Sequence, residues 1–276
     1  DFGGWVFGRQ TLCLGLAQAL VMLGRHDEAC ALMDGPLDFA RRLPSPYFDL
    51  MAHCVLASGA YAQGDTQRGD ACLRRALGIA RAQGFRHLPP WWSPPFFAPL
   101  MARALEAGIE SGWVTQLIRQ QQMPAPATHA TAWPYPVRVH ALGPWRIALD
   151  GKPLIQQGKA QRRVLELLKA LAAQGGRAIA AQTLAADLWP DGEGDAAMSA
   201  FDVTLHRARK LLGHPRALLL HDGLLRLNPE LVWLDLWALQ RLGEGIERCA
   251  DASGQIKAAP EQLQGWVQAF TQLLGG

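Results

Sequence analysis

The sequence predicts a mainly α-helical chain that carries a small α+β domain in its second half, and three observations predict it. Residues 5–122 keep apolar and alanine positions at three- and four-residue spacing, without strand patterns among them. Residues 123–136 then crowd Pro124, Pro126, Pro134 and Pro136 into one short stretch, which bars regular helix. From Val137 onward, short alternating segments, turn dipeptides and helical patterns follow one another. With 276 residues and 49% hydrophobic composition, the chain can fill two cores. The boundaries drawn from this are a helical domain over 1–122, a linker over 123–136, a second domain over 137–235 and C-terminal helices over 236–276.

In the first domain the helical spacing is clearest in Leu16-Ala19-Leu20-Leu23 and again in Val55-Ala60-Tyr61. Leu23-Gly24-Arg25-His26-Asp27-Glu28-Ala29-Cys30 resembles Gln63-Gly64-Asp65-Thr66-Gln67-Arg68-Gly69-Asp70-Ala71-Cys72, each with a turn glycine between two helices. Gly24 and Gly64 lie 40 residues apart, the spacing of a helical-hairpin repeat. A third pair is read at Pro95–Ala107 and Ile109–Gln122. An unrelated helical bundle is the alternative.

The second domain opens on Val137–Leu142, a Gly143-Pro144 turn, Trp145–Leu149, an Asp150-Gly151 turn and Lys152-Pro153-Leu154, together a small antiparallel sheet. A helix follows over Ala160–Ala173, stopped by Gly175-Gly176. Arg177-Ala178-Ile179 is a short strand and Ala181–Leu188 a second helix, ending at Trp189-Pro190. Asp195 is read as the N-cap of a long helix to Leu212, closed by Gly213 and Pro215. Ala217–His221 and Leu224–Leu227 flank Asp222-Gly223, a two-residue hairpin signal. Leu236–Cys249 and Glu261–Leu274 are two further helices. Sheet, helix, strand, helix, helix, hairpin is the plan of a winged helix preceded by a small sheet.

Composition bounds the function. A net charge of +3 is compatible with a nucleic-acid partner without pointing to one. The five cysteines are odd in number and contain no Cys-x-x-Cys pair, so neither a disulfide framework nor a zinc site is indicated. No apolar run reaches the ~18 residues that would span a membrane, and Asp1-Phe2-Gly3-Gly4 lacks a signal peptide's basic region. A cytoplasmic protein without membrane association is expected. Since residue 1 is not Met, the chain is read as the C-terminal part of a longer protein. Nucleophile-elbow and His-Glu-x-x-His patterns are absent and the eight histidines are scattered, so no enzyme, metal or cofactor is expected.

The long third helix is where function is expected. At 100° per residue, Phe201, Leu205, Ala208 and Leu212 fall within about 80° of one another and form its buried stripe. Opposite lie Ser199, Val203, His206, Arg207 and Lys210, with Asp202 and Arg209 at one border and Thr204 and Leu211 at the other. A face mixing cations, a hydroxyl, an imidazole and one small apolar group suits a major groove, where Arg bridges a guanine edge and Val touches a thymine methyl. It also suits plain solvent.

Residues 137–235 resemble the OmpR-type winged helix, and more closely its version in SARP-type transcriptional activators. The matching segments are Leu142-Gly143, Asp150-Gly151-Lys152-Pro153-Leu154, Arg162–Leu168, Leu188-Trp189-Pro190-Asp191, Leu205–Gly213 and Leu227–Asp235. The resemblance implies a third helix in the major groove, a hairpin wing on the adjacent minor groove or backbone, and a loop before that helix that meets RNA polymerase. Carried over, Val203, His206 and Arg207 approach bases, Arg209 and Lys210 approach phosphates, and Asp202 takes an acidic position of the family helix. Ala208 stands where the family has leucine. The preceding helical hairpins resemble the tetratricopeptide-like repeats of MalT-like regulators, whose ATPase would lie upstream; no Gly-x-x-x-x-Gly-Lys-Ser/Thr loop occurs here. A homodimer on double-stranded DNA is implied as well.

Other candidates are Lys159, Arg162 and Arg163 for phosphate, His221 and Arg226 as wing contacts, and Asp191 and Glu193 for polymerase. Trp91, Trp92 and Phe96, among rigid prolines, are candidate walls of a pocket for a small-molecule or protein effector. The rival reading makes the whole chain a scaffold for protein partners rather than DNA.

Overall fold

The computed structural model describes residues 2–86, 92–126, 131–155, 161–192, 194–249, 258 and 260–275; Lys159, Trp91 and Glu193 lie outside them. The chain is mainly helical with small sheets, and it forms two compact units, Asp1–Pro126 and Ala127–Gly276.

Among its described residues the first unit is built of helices: α1 (Phe2–Met22), α2 (His26–Ala31), α3 (Asp34–Arg42), α4 (Pro46–Ala62), α5 (Thr66–Gln83), α6 (Pro94–Glu106) and α7 (Ser111–Gln120). Gly24 and Gly64 both adopt positive φ, 75° and 78°. Past them, Arg25 N–H reaches Leu20 O and Asp65 N–H reaches Ala60 O, each at 2.9 Å, so α1 and α4 end in the same left-handed cap. The third pair is shorter than expected at its second helix, because Gly108 and Glu110, both at positive φ, delay the start of α7.

The stripe read as Leu16-Ala19-Leu20-Leu23 is not the one α1 buries. Leu14, Ala17, Gln18 and Leu20 are buried, whereas Leu16 and Leu23 face outward. This helix is apolar on every side, so periodicity alone cannot choose its inner face. The core of the unit gathers Leu14, Phe48, Val55, Leu73, Phe97 and Met101.

The second unit contains β1 (Val137–His140), β2 (Arg146–Leu149), β3 (Lys152–Pro153), α8 (Arg162–Ala173), β4 (Ile179–Ala180), α9 (Ala181–Leu188), α10 (Gly194–Leu212), a 3₁₀ turn at Pro215–Ala217, β5 (Leu218–His221), β6 (Leu224–Leu227), β7 (Val232–Leu234), α11 (Asp235–Arg248) and α12 (Pro260–Gly275). One sheet runs β3-β2-β1-β7, the other β4-β6-β5. The first sheet is not wholly antiparallel as expected: β7 lies parallel to β1, with Val139 opposite Leu234. Val232-Trp233-Leu234 is buried at every position, which removes the alternation that marks a half-exposed strand.

Buried Asp235 holds this junction. Its carboxylate accepts from the N–H groups of Ala141 (2.7 Å), Leu142 (2.8 Å) and Leu236 (2.9 Å), tying the exit of β1 to the start of α11. Two residues on, Trp237 donates from Nε1 to Gly175 O at 2.6 Å, and a Cβ on Gly176 would stand 2.6 Å from the Trp237 ring. The first turn of α11 is therefore part of this unit's packing. The described residues of the proline-rich segment, 123–126 and 131–136, are irregular as expected, yet Met123, Ala125, Trp133 and Tyr135 are buried. Arg138 donates to Thr131 O and Trp133 O and lies over the rings of Tyr135 and Trp233.

Helices α8, α9 and α10 share one core through Val164, Leu167, Leu171, Leu184, Phe201 and Leu205, and the inner side of the β5–β6 hairpin closes it with Leu218, Leu225 and Leu227.

Candidate nucleic-acid interface

Phe201, Leu205, Ala208 and Leu212 seat α10 on the core, with Ala197 and Thr204 beside them. The 3.6-residue period then leaves Ser199, Asp202, Val203, His206, Arg207 and Lys210 exposed along one side. Thr204 does not belong with them. Read at the border of the open face, it lies next to Ala208 around the helix and is buried. Ala208 is fully buried.

Arg209 also departs from expectation. Instead of projecting toward a phosphate, its Nε and Nη2 both donate to Leu218 O, at 3.2 and 3.0 Å. This fastens the last turns of α10 to the first residue of β5. Asn228 fastens the other end of the hairpin: its side chain donates to Arg216 O and accepts from Glu230 N–H, while its own N–H reaches Ala217 O. At the hairpin tip, Asp222 and Gly223 both take positive φ (49° and 73°), the primed turn that matches strand twist.

Arg226 is exposed on β6, opposite Leu219. At the tip, His221 Nδ1 stands 2.9 Å from Asp222 and both are open to solvent. Two cations that were not singled out from sequence lie at the ends of this sheet: Arg177, just before β4, and Arg216, in the 3₁₀ turn before β5, both exposed. Their signal was adjacency to strand termini, visible only once β4 was known to pair with β6. None of Arg177, Arg207, Lys210, Arg216 or Arg226 has a side-chain hydrogen bond or ion pair among the described residues. In the first unit Arg25, Arg42, Arg75, Arg81 and Arg103 hold carboxylates, as Arg162 and Arg163 do in the second.

Arg162 and Arg163 open α8 and both bind Glu166, at 3.0 and 2.8 Å, holding its carboxyl below the usual range; Arg163 also lies over Trp189. Asp191 is exposed in the turn before α10. Asp195 sits within the first turn of α10 rather than capping it, where its charge still suits the helix N-terminus.

Of the effector candidates, Phe96 lines a cavity of about 590 Å³ in the first unit together with Val21, His26, Tyr61, Pro95 and Arg103. Trp92 instead stacks on Phe97, ring centroids 5.2 Å apart and 17° from parallel. Among the described residues, no group of three or more His, Cys, Asp or Glu side chains is arranged to hold a metal, and no helix is long and apolar enough to cross a membrane.

No protein-family model, curated protein or solved structure matches this chain.

Proposed function

We propose that the second unit is a winged helix that reads double-stranded DNA, and that the chain is the effector region of a cytoplasmic, non-enzymatic transcription regulator. One observation carries this: α10 presents Ser199, Val203, His206, Arg207 and Lys210 on a single open side, with both cations unpaired among the described residues, beside a hairpin anchored to the same helix. Cations left without protein carboxylates are available to phosphate and guanine, where charge-assisted and bidentate contacts are strong. In this reading α10 enters the major groove, Val203, His206 and Arg207 meet base edges, and Lys210 meets phosphate. Arg226, with Arg177 and Arg216, lies along the flanking backbone, and Asp191 faces RNA polymerase.

The first unit, in its likeness to tetratricopeptide-like hairpins, takes the controlling signal. Its cavity of about 590 Å³ lies in the size range of small-molecule sites.

The test is a selection of the chain against random duplex DNA followed by salt titration of the enriched sequence. An enriched motif, bound with affinity that falls steeply with salt, is the expected result. No enrichment and a flat salt dependence would remove the DNA reading and favour a protein scaffold.

A further inference from the structure

Pro99 stands inside α6. Having no N–H, it cannot bond back to the carbonyl oxygen of Pro95 one turn earlier, and its ring crowds that oxygen off the helix axis. Pro95 and Pro99, four residues apart, share one side of the helix, and both line the cavity of about 590 Å³ in the first unit. The cavity wall therefore carries a backbone acceptor that lacks its usual helical donor.

The rest of the wall limits what can meet that oxygen. Val21, Met22, Phe96 and Leu100 are apolar. Two hydroxyls of the lining have their protons placed elsewhere, Ser58 Oγ donating to Cys54 O at 3.2 Å and Tyr61 Oη to Asp70 at 2.8 Å. What these two have left to offer is an acceptor. Arg103 brings a guanidinium to the wall, but its Nε and Nη2 hold both oxygens of Asp70, and Glu106 stands 3.9 Å from Nη1. Its charge is met within the protein. An ion entering the cavity would find no spare counter-charge, and burying one against these apolar groups is unfavourable.

We infer that this cavity takes a small uncharged molecule with an apolar body and an O–H or N–H group that donates to Pro95 O, as a phenol or an indole can. The inference rests on the reading of the first unit as the one that takes the controlling signal, and it names the chemical class of that signal.

Calorimetric titration of the 276-residue chain at neutral pH tests it with four naphthalene probes: 1-naphthol, 1-methoxynaphthalene, 1-naphthoate and 1-naphthylmethylammonium. The naphthol should bind one to one and about tenfold more tightly than its methyl ether, which keeps the ring and the oxygen but cannot donate. Both ions should bind more weakly than the naphthol. Ala62→Trp, at an exposed position of the lining where α4 ends, should abolish binding by filling the space. Pro99→Ala returns an N–H to Pro95 O. It should bring the naphthol down to the affinity of the ether and leave the ether unchanged, a split that a merely space-filling Pro99 would not produce. The inference is overturned by a naphthol that stays unbound, binds no better than the ether, or binds more weakly than either ion. Naphthol binding undiminished by Ala62→Trp or by Pro99→Ala overturns it equally. Duplex affinity of the wild type with and without bound naphthol reports on the signalling role separately: binding that leaves duplex affinity unchanged would keep the ligand class and remove the control reading.

Discussion

Arg209 and Leu218 are joined by a two-pronged hydrogen bond, Nε and Nη2 of the guanidinium both meeting the one carbonyl oxygen at 3.2 and 3.0 Å. A cation expected to reach outward to DNA is turned back to hold the hairpin on α10. The bond uses a charged donor on a neutral acceptor at a half-buried site, so Arg209→Ala should cost about 1–2 kcal/mol of stability. It should also weaken duplex binding by loosening the hairpin. Salt titration separates this role from a phosphate contact: the slope of log affinity against log salt should match wild type, whereas loss of a phosphate partner lowers it by about one.

Arg207 and Lys210 lie on the same open side of α10 but should behave differently. Arg207→Ala is expected to cost about 1–3 kcal/mol on the selected sequence and to relax preference at one base, the signature of a bidentate guanine contact. Lys210→Ala should weaken cognate and random duplexes alike and reduce the salt slope. Equal losses on both duplexes for Arg207→Ala would assign it to phosphate instead.

How far these roles are legible in the chain depends on the range of the contact. The seat of α10 follows from 100° steps, and Phe201, Leu205, Ala208 and Leu212 are buried as that rule requires. Thr204 escapes it because a border residue is assigned by what packs beside it, not by its angle alone. The fate of Arg209 is invisible to helix geometry, since its acceptor is a backbone oxygen on another element. Asp235 is a sharper case: the carboxylate is read as the end of a motif, but its partners Ala141 and Leu142 are more than ninety residues away. The outward face of Leu16 and Leu23 is hidden for a different reason, because a helix apolar all round offers no contrast.

The Asp235 carboxylate should be among the most sensitive side chains of the second unit. Asp235→Ala leaves three N–H groups without their acceptor, two of them at the exit of β1. At about 1–3 kcal/mol for a buried unsatisfied donor, tempered by relaxation and water entry, a loss of about 3 kcal/mol is expected from urea unfolding. Asp235→Asn keeps one accepting oxygen and should cost less. Similar midpoints for the alanine variant and the wild type would show that the junction does not depend on this clamp.

In the first unit, pH gives a separate handle. Asp70 accepts from Arg103 through both carboxylate oxygens, at 2.9 and 2.8 Å, and from Tyr61 Oη at 2.8 Å. The hydrogen-bonded Arg103 guanidinium, with help from Tyr61, holds the Asp70 carboxyl below its ordinary value, and burial pushes the Tyr61 phenol up. A carboxylate with a depressed folded value binds its proton more readily when unfolded. Its contribution is therefore complete above the ordinary carboxylate range and drains away as pH falls through that range and then through the lower folded value. Asp70→Asn should thus cost about 1–2 kcal/mol at neutral pH, the scale of charge-assisted bonds at a partly exposed site. The gap to wild type should close progressively on acidification. Urea midpoints of the two proteins measured from pH 7 downward check this, and a gap that stays constant with pH would mean that the Asp70 charge adds nothing beyond what the amide supplies.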